Sequence, residues 1–309
     1  MPSFGHDLLQ RYKNNPIINL EDIPFKCNTV FNAGAIKIGA TYRLLIRVEN
    51  LRGQSVFLGA TSGNGYYFDI DDFPCMFPDE EGPWTEFESL GIEDPRITEL
   101  EGAYYISYTA VAPHGPTLAL ARTHDFQTFE RLGSVSMPPN KDGMLFPRKI
   151  GGRYVRLDRP MVGSMGNIWI SYSEDLRYWG DAKLVMTPRG NYWDSWRIGA
   201  SATPFETERG WLEIYHGVKE TSAGPIYRLG TVLLDRDDPS KVIGRSVIPI
   251  LVPRELYERL GDVGNVVFTC GCVLEDDGEV KVYYGAADTC ICVATAPLKE
   301  LLDACTAVD

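Results

Sequence analysis

A short pattern recurs five times along the chain: a Gly or Asp-Gly turn, then a strand dense in aliphatic and aromatic residues. The copies are Gly39-Ala40-Thr41-Tyr42-Arg43-Leu44-Leu45-Ile46-Arg47, Gly102-Ala103-Tyr104-Tyr105-Ile106-Ser107-Tyr108, Gly151-Gly152-Arg153-Tyr154-Val155-Arg156-Leu157, Gly210-Trp211-Leu212-Glu213-Ile214-Tyr215-His216 and Asp277-Gly278-Glu279-Val280-Lys281-Val282-Tyr283-Tyr284-Gly285. A short strand precedes each turn, as at Gly34 to Ile38, Pro95 to Leu100 and Cys270 to Glu275. Turn plus flanking strands reads as a hairpin. A third strand follows at Ser55 to Ala60, Thr117 to Arg122, Asn167 to Ser173, Tyr227 to Leu234 and Cys290 to Ala294. Polar segments, His124 to Phe129 and Glu174 to Trp179, then lead into an outer strand. A four-stranded unit recurring at roughly 50–70 residues is the signature of a propeller blade.

The expected fold is therefore all-β, a five-bladed β-propeller with short terminal helices, forming one domain over residues 1–309. The helix candidates are Asp7 to Tyr12 and Leu298 to Cys305, with a helical turn at Arg254 to Arg259. A β-sandwich is the competing architecture, but its strands would not repeat at this spacing.

The formal net charge of −12 speaks against nucleic acid or an anionic membrane as partner. Any anion must be held by a local basic cluster. The 16 Tyr and 6 Trp suit strands, and their flat amphipathic rings also suit sugar faces. No secretion signal or membrane-length apolar run is visible, and the seven cysteines read as reduced thiols of a cytoplasmic protein. Cys270/Cys272 and Cys290/Cys292 read as small core residues, because neither pair has zinc-knuckle spacing.

In a propeller the strand ends converge on one axis, so polar residues ending apolar strands are the candidates for chemistry. Arg47, Arg159, His216 and Asp288 hold such positions, and Asp94 stands out in Gly91-Ile92-Glu93-Asp94-Pro95-Arg96. Taken singly, each has a plainer reading as a surface ion pair, a structural histidine or a turn former. Their recurrence at equivalent places favours one shared cavity.

Several runs carry a family resemblance: Phe31-Asn32-Ala33-Gly34, Leu44-Leu45-Ile46-Arg47-Val48-Glu49, Gly91 to Arg96, Asn140-Lys141-Asp142, Phe146-Pro147-Arg148-Lys149-Ile150, Arg159-Pro160, Gly210 to Val218, Asp238 to Arg245 and Tyr283 to Thr289. In this order they resemble glycoside hydrolase family 130, the β-mannoside phosphorylases. The resemblance implies inverting phosphorolysis of β-mannosides, β-1,4-mannooligosaccharides first among them, to α-mannose 1-phosphate. β-1,2-Mannosides are the alternative within that chemistry.

The resemblance further implies a single catalytic acid at Asp94 and phosphate binding by Lys141, Arg159, Arg197 and His216. It implies mannosyl binding by Asn32, Arg47, Arg96 and Asp288. No metal or cofactor is implied, only inorganic phosphate as co-substrate, and a homo-oligomer is possible. Tyr108 and Trp193 are candidates for stacking on the acceptor sugar. The sequence departs from the family pattern at Ala200 to Thr203, beside Arg197.

Phosphate is already a nucleophile, so such an enzyme needs cations in place of the second carboxylate of an inverting hydrolase. Asp94 is accordingly expected to have a raised pKa. Three other readings compete. A β-mannosidase hydrolase would take Glu49 or Glu206 as base. An arabinanase-like or fructosidase-like propeller would need acidic residues spread over several blades. A carbohydrate-binding propeller would not need Asp94.

Overall fold

The computed structural model describes residues 7–307, and they form five four-stranded antiparallel units. Unit one is Cys27–Ile38, Thr41–Asn50, Ser55–Ser62 and Asp69–Met76. Unit two is Gly91–Leu100, Ala103–Ala112, Gly115–Thr123 and Glu130–Ser134. Unit three is Asn140–Leu145, Tyr154–Val162, Ile168–Ser173 and Gly180–Met186. Unit four opens with a broken strand, Arg197–Ala200 and Phe205–Thr207, followed by Gly210–Thr221, Gly224–Leu234 and Val242–Ser246. Unit five is Val267–Leu274, Glu279–Ala286 and Cys290–Pro297, and its fourth strand is Gln10–Arg11 from the start of the chain.

That last pairing overturns the helix expected at Asp7 to Tyr12. Extended, the segment pairs Gln10 with Thr295 and Arg11 with Ala294, while Leu9 is buried. The other two expected helices are present, at Leu298–Ala304 and Leu256–Arg259, along with a single turn at Thr85–Glu88.

The apolar alternation of the strands is spent between units. One cluster joins units one and two through Leu45, Phe57, Ile92 and Ile106. Others join two and three through Leu118 and Tyr154, three and four through Phe146 and Trp211, and four and five through Leu212 and Val280. The last joins unit five back to unit one, through Ile291, Val293, Leu44 and Leu58. The packing of the sheets thus runs in a cycle, each unit covering a face of the next.

The polar segments form matching turns. Thr123 and Ser173 accept from the backbone N–H of Phe126 and Leu176 at 2.9 Å. Asp125 and Asp175 accept from the two following N–H groups. Such side-chain caps stand in for strand pairing where the chain reverses. No helix among the described residues is long and apolar enough to cross a membrane.

Candidate active site

The opening strand of four units is interrupted at the same height by a bulge. Pairing skips from Val30 to Ala33, from Glu93 to Arg96, from Lys141 to Met144 and from Thr269 to Gly271. In unit four the strand breaks altogether after Ala200. A bulge re-aims the extra residue out of the ladder. The residues so placed are Asn32, Asp94, Asp142, Ser201 and Cys270, with Asp94 and Asp142 at φ 54° and 57°. All five are buried.

Above them opens a cleft of about 200 Å³. Its lining includes Asn32 and Arg47 from unit one, Asp94 from unit two and Lys141, Asp142 and Arg159 from unit three. His216 and Tyr227 come from unit four, and Phe268 and Asp288 from unit five. Lys141 and Arg159 face each other in the strand register, as do Gly199 and His216. A Cβ at Gly199 would lie 2.1 Å from Asp142 Oδ2 and 2.5 Å from His216 Cε1, so only glycine lets these groups close up. A Cβ at Gly285 would likewise strike Asn32 Oδ1 at 2.2 Å.

Asp94 Oδ1 accepts from Asn32 Nδ2 and from Arg47 Nη1, each at 2.9 Å. Arg47 also donates to Glu93 at 2.8 Å, and Lys141 Nζ reaches the other Glu93 oxygen at 2.9 Å. Arg159 Nε lies 2.9 Å from Asp142 Oδ2, and Arg159 Nη1 lies 3.1 Å from His216 Nε2. Beneath the cleft Arg96 is fully buried. It donates to the carbonyls of Asp94, Ala200 and Ser201 and to Asp142 Oδ1.

Burial alone would raise the Asp94 pKa. The charges of Arg47, Lys141 and Arg96 and the Asn32 bond outweigh it and hold the carboxyl well below the usual range. The raised pKa expected of this residue is therefore not that of the free site. Asp288 goes the other way: burial, with the nearby charge of Asp94, pushes it up to about 6 against the pull of Arg47. Burial lowers the His216 pKa. Asp142 opposes the shift and Arg159, Arg96 and Arg197 reinforce it, leaving about 3. His216 is thus a neutral imidazole at pH 7, and the fixed positive charge at the cleft is that of Arg47, Lys141 and Arg159.

Of the nine residues singled out in the sequence, the cleft gathers Asn32, Arg47, Asp94, Lys141, Arg159, His216 and Asp288. Arg96 has no face on it and acts on Asp94 and Asp142 instead. Arg197 stands behind Tyr227, donating to its hydroxyl and packed over Trp196. Tyr108 is not a rim residue: it is buried against Phe57 and donates to Glu88. Trp193 stacks on Tyr215 and donates to the Val247 carbonyl, outside the cleft lining. Glu49 bonds Asn28, and Glu206 is engaged by Arg148 and Arg236, so neither candidate base faces the cleft.

Sequence reasoning passed over Asp142, Glu93 and Ser201. The signal for Asp142 was present, since it follows Lys141 in a quoted run, but its role needs the bulge. Among the described residues no group of three or more His, Cys, Asp or Glu is placed to hold a metal ion, and the seven cysteines are free.

The family model described as beta-1,4-mannooligosaccharide phosphorylase matches residues 7–307. The beta-1,4-mannooligosaccharide phosphorylase of Ruminococcus albus is 34% identical, over 98% of this chain and 92% of its own. A 1,2-beta-oligomannan phosphorylase of Thermoanaerobacter sp. is 38% identical, over 95% and 98%. Among solved structures, the beta-1,2-mannobiose phosphorylase of Listeria innocua, in complex with beta-1,2-mannobiose, matches with a TM-score of 0.87 and 31% identity. That match covers 96% of this chain and 99% of the Listeria chain.

Proposed function

The chain belongs to glycoside hydrolase family 130, and from that membership we propose that it cleaves β-mannosides with inorganic phosphate, releasing α-mannose 1-phosphate. The observation that carries this reading is the division of the cleft. Units five and one supply Asp288, Asn32 and Arg47, hydrogen-bonding groups suited to a mannosyl unit. Units three and four supply Lys141 and Arg159, with His216 in the wall and Arg197 behind Tyr227, suited to phosphate. Asp94, from unit two, lies between the halves. We read the cyclic packing of the five units as the five-bladed propeller that the sequence repeat predicts.

In the proposed reaction a phosphate oxygen attacks the anomeric carbon from the Lys141–Arg159 side. The new C–O bond forms as the glycosidic C–O bond breaks, with inversion, and the departing oxygen takes the proton of Asp94, directly or through a sugar hydroxyl. The cations offset phosphate's repulsion and hold it in line. Arg47 and Lys141 keep Asp94 ionised in the empty site. A phosphate dianion beside Lys141 and Arg159 offsets that field and raises the Asp94 pKa, so loading of the anion and arming of the acid go together. No carboxylate is needed as a base, because the attacking phosphate oxygen is already ionised.

Two linkages are proposed in order: β-1,4-mannooligosaccharides, after the description of the family model, and β-1,2-mannobiose, after the Thermoanaerobacter and Listeria relatives. The test is incubation with β-1,4- and β-1,2-mannobiose, mannosyl-glucose and mannosyl-N-acetylglucosamine, with and without phosphate, followed by NMR. Phosphate-dependent α-mannose 1-phosphate supports the reading, and the best substrate fixes the linkage. Mannose released equally fast without phosphate refutes it in favour of hydrolysis.

A further inference from the structure

His216 has no exposed surface, and each ring nitrogen has a defined neighbour. Nδ1 lies 3.1 Å from Ser201 Oγ. Nε2 lies 3.1 Å from Arg159 Nη1 and 3.4 Å from Asp142 Oδ2. A guanidinium carries only donors and stays charged. A ring nitrogen facing it at hydrogen-bond distance must therefore offer its lone pair. The ring proton then sits on Nδ1, and the Ser201 hydroxyl oxygen accepts it. The opposite tautomer would set N–H against N–H at Arg159, in return for a longer contact with Asp142.

We propose that Ser201 is a positioning residue for anion binding: its hydroxyl fixes His216 as the neutral Nδ1–H tautomer, whose Nε2 aims the Arg159 guanidinium into the cleft. His216 then serves the anion through Arg159 rather than as a cation. Asp142 lies beside Nε as an ion pair at 2.9 Å and His216 takes one Nη1 hydrogen, which leaves Nη2 for an oxyanion.

The surroundings of Ser201 fit a fixed post. It is fully buried, in the gap of the unit-four strand. Its N–H donates to Glu213 Oε1 at 2.8 Å, and its carbonyl accepts from Arg96 Nε at 2.7 Å. Burial pushes the Glu213 carboxyl well up, against the Ser201 N–H bond and the charge of Arg96. The charged groups acting on His216 are Asp142, Arg159, Arg96 and Arg197, and the Phe268 and Tyr227 rings pack beside it at 4.6 and 6.3 Å. Gly199 leaves room for the imidazole and Asp142 to meet Arg159 together.

The test uses the full chain labelled with ¹⁵N-histidine. There are four histidines, and the His216 signals are assigned by their loss in His216→Gln. The expected spectrum has a protonated Nδ1 and a bare Nε2, unchanged between about pH 5.5 and 8, with tautomers mixing in Ser201→Ala. An imidazolium at pH 7, or a protonated Nε2, overturns the proposal. A second arm reads sulfate binding by calorimetry, which needs no turnover. Ser201→Ala is expected to weaken it about tenfold, the scale of one charge-assisted hydrogen bond, and Ser201→Thr to restore most of the loss. Unchanged sulfate affinity in Ser201→Ala refutes the positioning role. The proposal rests on the phosphate reading only for the identity of the anion. Should no mannoside be phosphorolysed, that reading fails while the tautomer and sulfate results still decide this one.

Discussion

Asp94 and Asp288 share a cleft, yet their surroundings drive them apart. Asp94 has Arg47, Lys141 and Arg96 in its field and stays ionised, whereas Asp288 is half-buried near Asp94 and rises to about 6. The proposed acid role predicts that Asp94→Asn lowers kcat by about 10²–10⁴-fold while sulfate still binds, measured by initial rates and calorimetry. Undiminished turnover would remove Asp94 from the chemistry. Asp288 gives a prediction of opposite character. Its folded pKa lies above the unfolded value, so its contribution to stability is complete below about pH 4 and is lost as pH rises through 6. Asp288→Asn should match the parent near pH 4 and exceed it by about 2–3 kcal/mol at pH 7 in urea unfolding, although its turnover falls.

At the scale of the strand, the repeat was plain in the sequence because turns and apolar alternation leave a periodic trace. Every strand that follows a repeated turn lies where the pattern put it. The bulges were not plain. A bulge or break leaves the composition and the spacing of the turns unchanged, yet it brings Asp142 and Ser201 to the site while Tyr108, opposite one bulge, packs on Glu88. For the same reason Arg96, two residues beyond Asp94, ends beneath the cleft and not on its wall. Gly199 is the tightest point of this arrangement. Gly199→Ala should displace Asp142 from Arg159 and raise the phosphate KM by about tenfold or more, with a smaller change for the mannoside, as steady-state kinetics would show. Equal effects on both substrates would place the damage elsewhere.

For the molecule as a whole, unit five is completed by a strand from a distant part of the sequence. Gln10–Arg11 supplies its fourth strand, and Arg11 is paired with Asp7 and with Glu258, whose side chain is fully buried. Glu258 also accepts from the Tyr284 hydroxyl and the Arg254 N–H. Two residues are too few to show a strand period, and their partners Thr295 and Ala294 lie near the other end of the sequence, so the sequence alone suggests a helix here. Glu258→Ala leaves Arg11 and these donors unmatched, and is expected to cost about 3 kcal/mol in urea unfolding with the product profile unchanged. A loss within error would mean that the junction closes without this pair.

The kinks that throw one residue per unit toward the centre make those positions separable from the scaffold. Pairing resumes on either side of each kink, so these positions do not carry the ladder. Here the five positions hold a carboxamide, two carboxylates, a hydroxyl and a thiol. A point substitution at such a position therefore changes a reactive group without removing a ladder hydrogen bond from the strands on either side.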